Sequence, residues 1–201
     1  MNMRHVKVWF LICLVFPGVM SFSQNPDIDL LRYINHHRNP ALDNTFRTIS
    51  DMAGPVAVAT PFVLFGVSYL AQDTCMRHNS IYIGASLASA AVITTILKYS
   101  IDRKRPFSKY PDVVKLADGG SPSFPSGHTS DAFALATSLS LAYPKWYVIV
   151  PAYAWSSTVA FSRMDLGVHY PTDVLAGALI GAGTAWLCYK GQQYLHRKFG
   201  K

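Results

Sequence analysis

The sequence predicts an all-α protein, a polytopic membrane helical bundle of five or six spanning helices. Three observations carry that prediction. Half of the 201 residues are hydrophobic and only 14% are charged, well below the quarter typical of a soluble domain. Beyond residue 53 the apolar residues gather into five runs, each close to the minimum of ~17 residues for a spanning helix. Those runs are rich in Gly, Ala, Ser and Thr, which lets helices approach closely inside a bilayer.

In chain order, residues 1–23 begin with Arg4 and Lys7, continue through an apolar centre from Val8 to Val19, and end in small residues at Ser21 and Ser23. This is the form of a secretory signal peptide, or of a short first membrane helix. Either delivers Gln24 to the far side of the membrane. Residues 24–201 form one domain. Within it, residues 24–53 are mixed in polarity, with Leu30, Leu31, Ile34, Leu42, Phe46 and Ile49 at roughly helical spacing. Two short amphipathic helices on the membrane–water interface are expected there, broken near Asn39-Pro40. Residues 54–190 are the helical core. Its apolar runs are Gly54–Ala71, Ser80–Leu97, Thr129–Tyr143, Trp146–Ser162 and Val174–Tyr189. A basic tail, 191–201, follows.

Alternating the spans from a cytoplasmic start places 24–53, 98–127 and 163–173 outside. Lys and Arg occur on both sides, so the positive-inside rule supports this orientation only mildly; the signal-like start is the stronger argument. The expected location is a bacterial inner membrane, with the segment ends just named facing the periplasm. The formal net charge is +7, but the basic residues are dispersed and form no stripe suited to nucleic acid. Cys13, Cys75 and Cys188 match no zinc or redox spacing and are read as packing residues.

Three polar motifs fall on that one face: Lys98-x6-Arg105-Pro106, Pro125-Ser126-Gly127-His128, and Ser162-Arg163-x5-His169-x3-Asp173. Lys98, Arg105 and Arg163 are cations, and Arg grips phosphate oxygens in pairs. Ser126-Gly127 opens a helix, where free backbone N–H groups and the Ser126 hydroxyl suit an anion. Together they describe a phosphate cradle that needs no metal and no cofactor. His169 and Asp173 are four residues apart and share a helical face if the last helix begins near the histidine. Asp173 would then fix the tautomer of His169, freeing one ring nitrogen to attack phosphorus. His128 remains to protonate the leaving oxygen and later activate water.

These motifs, complete and in order, resemble the signature of the type 2 phosphatidic acid phosphatase (PAP2) superfamily. The resemblance covers Lys98 to Asp173. It implies phosphate binding by Lys98, Arg105, Ser126, Gly127 and Arg163, a phosphohistidine at His169, acid catalysis by His128, and orientation of His169 by Asp173. It also implies six spanning helices, a count this chain reaches only if the first apolar segment is retained. The partners are then the bilayer and a phosphorylated membrane lipid: a lipid A phosphate, undecaprenyl diphosphate, phosphatidylglycerol phosphate or phosphatidic acid. The alternatives within the superfamily are a soluble secreted acid phosphatase and a vanadium-dependent haloperoxidase. The short apolar chain argues against the second. A silent binding protein would have no use for a nucleophile.

Overall fold

The computed structural model describes residues 25–199; the expected signal peptide or first helix lies outside them. All the described regular structure is helical. Two short helices, α1 (Pro26–His36) and α2 (Asp43–Asp51), precede five long ones: α3 (Ala53–Leu70), α4 (Thr74–Ile101), α6 (Gly127–Ala142), α7 (Trp146–Asp165) and α8 (Pro171–Phe199). A single turn, α5 (Pro106–Lys109), follows α4. Each long helix contains one of the five apolar runs to within a residue, but α4 begins at Thr74, ahead of its run, and α8 continues through the expected basic tail to Phe199.

Local chemistry sets the boundaries. Asn25 caps α1, its side chain accepting from the Asp27 N–H. The break before α2 is a 3-10 turn, Pro40–Leu42, where Asn39 accepts from the Ala41 N–H. Asp73 caps α4 by accepting from the Met76 N–H, and α4 ends on Asp102 in a left-handed conformation, as Asp tolerates better than most residues. Pro171 stands at the start of α8, where its missing N–H costs nothing.

The long helices run up and down, and α6 is the axis of the bundle. Ala132, Ala134, Thr129, Ser130 and Ser138 of this helix are fully buried. Its small side chains let α8 approach backbone to backbone. A Cβ on Gly177 would stand 2.5 Å from the Ser126 carbonyl oxygen, and one on Gly181 only 2.2 Å from that of Ser130. This is a small-xxx-small contact of the kind that packs helices in membranes. Polar bonds join the same helices: Thr94 to Ser130 between α4 and α6 at 3.0 Å, Thr137 to Tyr153 between α6 and α7 at 2.9 Å, and the Tyr82 hydroxyl to the Ala185 carbonyl between α4 and α8 at 3.0 Å.

The outside of the bundle is apolar. Phe62, Val63, Leu70, Ile96, Val150, Leu175 and Leu179 are all exposed, apolar side chains of the kind that mark a membrane-facing surface. Two stretches, Pro40–Leu70 and Thr74–Lys109, are long and apolar enough to cross a membrane by length and hydropathy. Helix α6 is only 16 residues long, and none of its residues is exposed. All three polar motifs lie at one end of the bundle, and α1, α2 and α5 pack over that end.

Candidate active site

His169 sits in the loop between α7 and α8 and is 1% exposed. Its position is set locally. Gly167, at φ 71°, turns the chain back after α7, and a Cβ there would meet the Val114 carbonyl at 2.3 Å. The backbone N–H of His169 then donates to the Arg163 carbonyl at 3.2 Å. The side chain is held between opposite charges. Nδ1 is 3.5 Å from Asp173 Oδ2, and Nε2 is 3.4 Å from Arg105 Nη1.

The expected shared helical face of His169 and Asp173 is corrected by the structure. Helix α8 begins at Pro171, two residues after the histidine. Proline fixes the first helical φ, so Tyr170 becomes the cap and Asp173 the third helical residue. Asp173 therefore reaches back as a capping carboxylate, Oδ2 accepting from the Tyr170 N–H at 3.0 Å. The contact with His169 follows from this cap geometry.

Asp173 is fully buried, and both oxygens are committed. Oδ2 also accepts from the Ser123 hydroxyl at 2.5 Å. Oδ1 accepts from Arg103 Nη1 at 2.5 Å. Arg103 in turn donates through Nη2 to Asp27 at 2.6 Å and lies over the Tyr170 ring at 3.8 Å. Asp27, from α1, accepts from the Thr172 N–H at 2.9 Å and the Thr172 hydroxyl at 2.6 Å. The first helix is thus stitched to the start of the last one.

The three expected cations converge. Arg105 is 8% exposed; it donates to the Ser121 carbonyl at 2.8 Å and the Val168 carbonyl at 3.1 Å. Arg163 is 1% exposed and donates to the Ser50 hydroxyl of α2; its Nε has no partner. Lys98 donates to the Pro122 carbonyl at 2.8 Å. All three stand within electrostatic reach of His128, which opens α6. Burial lowers the affinity of the His169 ring for a proton; Asp173 opposes this, and Arg105 and Arg163 add to it. Burial therefore favours the neutral form of the imidazole.

Ser126 differs from its expected part. Its N–H donates to the Asp173 carbonyl at 3.0 Å, and its hydroxyl pairs with Thr129 at 2.9 Å. It ties the start of α6 to α8. The first-turn N–H groups of that helix, from Gly127 to Thr129, have no intrahelical partner and no side-chain cap.

Sequence reasoning missed Arg103, Asp27, Ser123 and Gly167. Arg103 lies inside the first motif, two residues from Arg105, and its charge was a usable signal. Asp27 carried none: Thr172, its partner, is 145 positions away.

Residues 79–197 match the family model of the PAP2 superfamily, and the chain belongs to that family. A lipid A 4'-phosphatase of Bacteroides thetaiotaomicron is 35% identical over 86 residues, a match spanning 43% of this chain and 38% of that relative. Among solved structures, that of Aquifex aeolicus LpxE superposes with a TM-score of 0.72 at 28% identity, covering 84% of this chain and 97% of that one. The transmembrane PAP2-type phosphatidylglycerolphosphate phosphatase of Bacillus subtilis gives a TM-score of 0.73 at 24% identity, covering 94% and 96%. The chain is a PAP2-type phosphatase, all-helical over the described residues and with the fold of the membrane phosphatases of that family.

Proposed function

We propose that the enzyme hydrolyses a lipid phosphomonoester or diphosphate through a phosphohistidine at His169 Nε2. The observation that carries this is the suspension of a buried, neutral His169 between Asp173 and Arg105. Asp173 Oδ2 faces Nδ1 at 3.5 Å, which leaves the Nε2 lone pair on the side of the cations. Lys98, Arg105 and Arg163 neutralise the phosphoryl oxygens, together with the free N–H groups at the start of α6. Nε2 attacks phosphorus and the bond from phosphorus to the lipid oxygen breaks. His128 protonates that oxygen. Asp173 stabilises the imidazolium formed on His169. His128 then takes a proton from water, the water oxygen attacks phosphorus, the P–N bond breaks, and phosphate leaves.

The substrate is proposed to be a lipid A phosphate, undecaprenyl diphosphate, phosphatidylglycerol phosphate or phosphatidic acid. The site is assigned to the periplasmic side of a bacterial inner membrane, on the strength of the signal-like start of the sequence. The exposed apolar belt favours this reading over a soluble acid phosphatase.

The test is acid-quenched turnover of phosphorus-labelled lipid by purified protein in detergent. Wild type traps label on histidine, and His169→Ala neither traps label nor releases phosphate while keeping its melting profile. Normal phosphate release by His169→Ala overturns the mechanism.

A further inference from the structure

Helix α6 carries an acidic side chain that the phosphoryl chemistry does not use. Asp131 lies three residues beyond His128, on the same side of the helix and about 4.5 Å deeper. It borders a cavity of about 700 Å³ between α3 and α4. The remaining wall is apolar, built from side chains such as Ala57, Pro61, Phe62 and Leu87, except for Ser80 at the far end. The Ser80 hydroxyl is committed to the Arg77 carbonyl at 2.7 Å. Among the described residues, no donor pairs with the Asp131 carboxyl group.

The cavity lies directly under the phosphate cradle. Thr94 bonds Ser130 at 3.0 Å, and Lys98 Cε stands 3.9 Å from where a Gly127 Cβ would be. That register puts Ala91 beside the upper rim, near Asp131. From Ala91 to Ser80 the cavity follows α4 for about 16 Å, half the ~30 Å thickness of a hydrocarbon core. Phe62, on its open side, is 73% exposed. A phosphate held by Lys98 and Arg105 would thus have its hydrocarbon chain over this groove.

An unpaired carboxyl group facing hydrocarbon is costly. As a carboxylate it accepts hydrogen bonds and donates none. A polyprenyl chain has no polar atom to offer it. Diacylglycerol offers ester oxygens, which only accept. A chain with a hydroxyl or an amide N–H a few atoms from the head supplies the missing donor. We propose that Asp131 selects lipids whose acyl chain bears such a donor near the phosphorylated head, with the chain seated between α3 and α4. This rests on the lipid-phosphatase reading above and narrows its substrate class.

The experiment uses the purified full chain in detergent micelles and three substrates: two synthetic phosphoglycolipids that differ by one 3-hydroxyl on the acyl chain, and diacyl phosphatidic acid. Wild type should favour the hydroxylated glycolipid in kcat/KM by about 10- to 100-fold, the range of a hydrogen bond to a charged group. Asp131→Leu should remove that preference by lowering turnover of the hydroxylated lipid alone. Asp131→Asn, which keeps an acceptor, should retain part of it. Wild type indifferent to the hydroxyl, or an equal loss on all three lipids in Asp131→Leu, overturns the proposal alone. Failure of wild type on all three while it hydrolyses undecaprenyl diphosphate or phosphatidylglycerol phosphate overturns the proposal alone; failure on those two lipids as well overturns the lipid-phosphatase reading and the proposal with it.

Discussion

Arg103 Nη1 stands 2.5 Å from Asp173 Oδ1, so the carboxylate beside His169 is held from behind by a cation. The same guanidinium grips Asp27 of α1 at 2.6 Å. A change in α1 should therefore reach the chemistry without touching the substrate. Asp27→Asn is expected to lower kcat by about 10-fold, and Arg103→Met by about 10- to 100-fold, since each removes a hydrogen bond involving a charge. KM should change little, and Arg103→Lys should restore part of the rate. A rise in KM at constant kcat would instead place Arg103 in substrate binding.

The pH dependence of stability has a definite sign. Burial keeps His169 neutral in the folded chain, below its ordinary value of 6.5, whereas the unfolded chain takes up the proton at about that value. Between the two values the unfolded state binds more protons, so stability rises with pH. The contribution is complete above about pH 6.5 and is lost progressively as the pH falls towards the folded value. Melting midpoints in detergent from pH 5 to 7 should therefore fall with acidity, and His169→Asn should flatten that slope by up to one proton's worth, about 1.4 kcal/mol per pH unit. Equal slopes in the two proteins would contradict a buried neutral His169.

Helix α8 offers an internal contrast in packing. A Cβ at Gly181 would stand 2.2 Å from the Ser130 carbonyl oxygen and 2.7 Å from the Ala134 nitrogen, while at Gly183 nothing lies within 4 Å. Gly181→Val is expected to destabilise the bundle by about 3 kcal/mol or more, because neither backbone can give way. Gly183→Ala should be neutral or stabilise by up to about 1 kcal/mol through helix propensity. Thermal unfolding of the two variants in the same detergent checks this.

In the proposed mechanism Lys98, Arg105 and Arg163 supply the positive charge that many phosphatases draw from metal ions. Phosphate release should therefore persist after incubation with excess EDTA and gel filtration. Arg163→Met should reduce kcat/KM by about 100-fold or more, since that side chain is buried at 1% exposure and its charge is little screened. A chelator-sensitive enzyme restored by added divalent ion would point to a different centre.

Much of the candidate site was legible because it is written in short motifs. Lys98, Arg105, His128, Arg163, His169 and Asp173 are spaced so that any alternation of the apolar runs carries them to one face. The geometry between them was less legible. The four-residue spacing of His169 and Asp173 suggested a shared helical face, yet Pro171 starts the helix later and makes the contact through a cap. Ser126 was expected to face an anion, but close packing of α6 on α8 draws its N–H to the Asp173 carbonyl.

The sequence by itself determined the helical class, the five apolar runs and the residues available for phosphoryl chemistry, because periodicity and residue type act locally along the chain. Tertiary structure decided which groups hold those residues in place. Asp27 meets Thr172 across 145 positions, and Asp131 turns into a groove made by α3 and α4. Such contacts depend on how whole helices pack, and packing is set by the sum of many small side chains rather than by any one spacing.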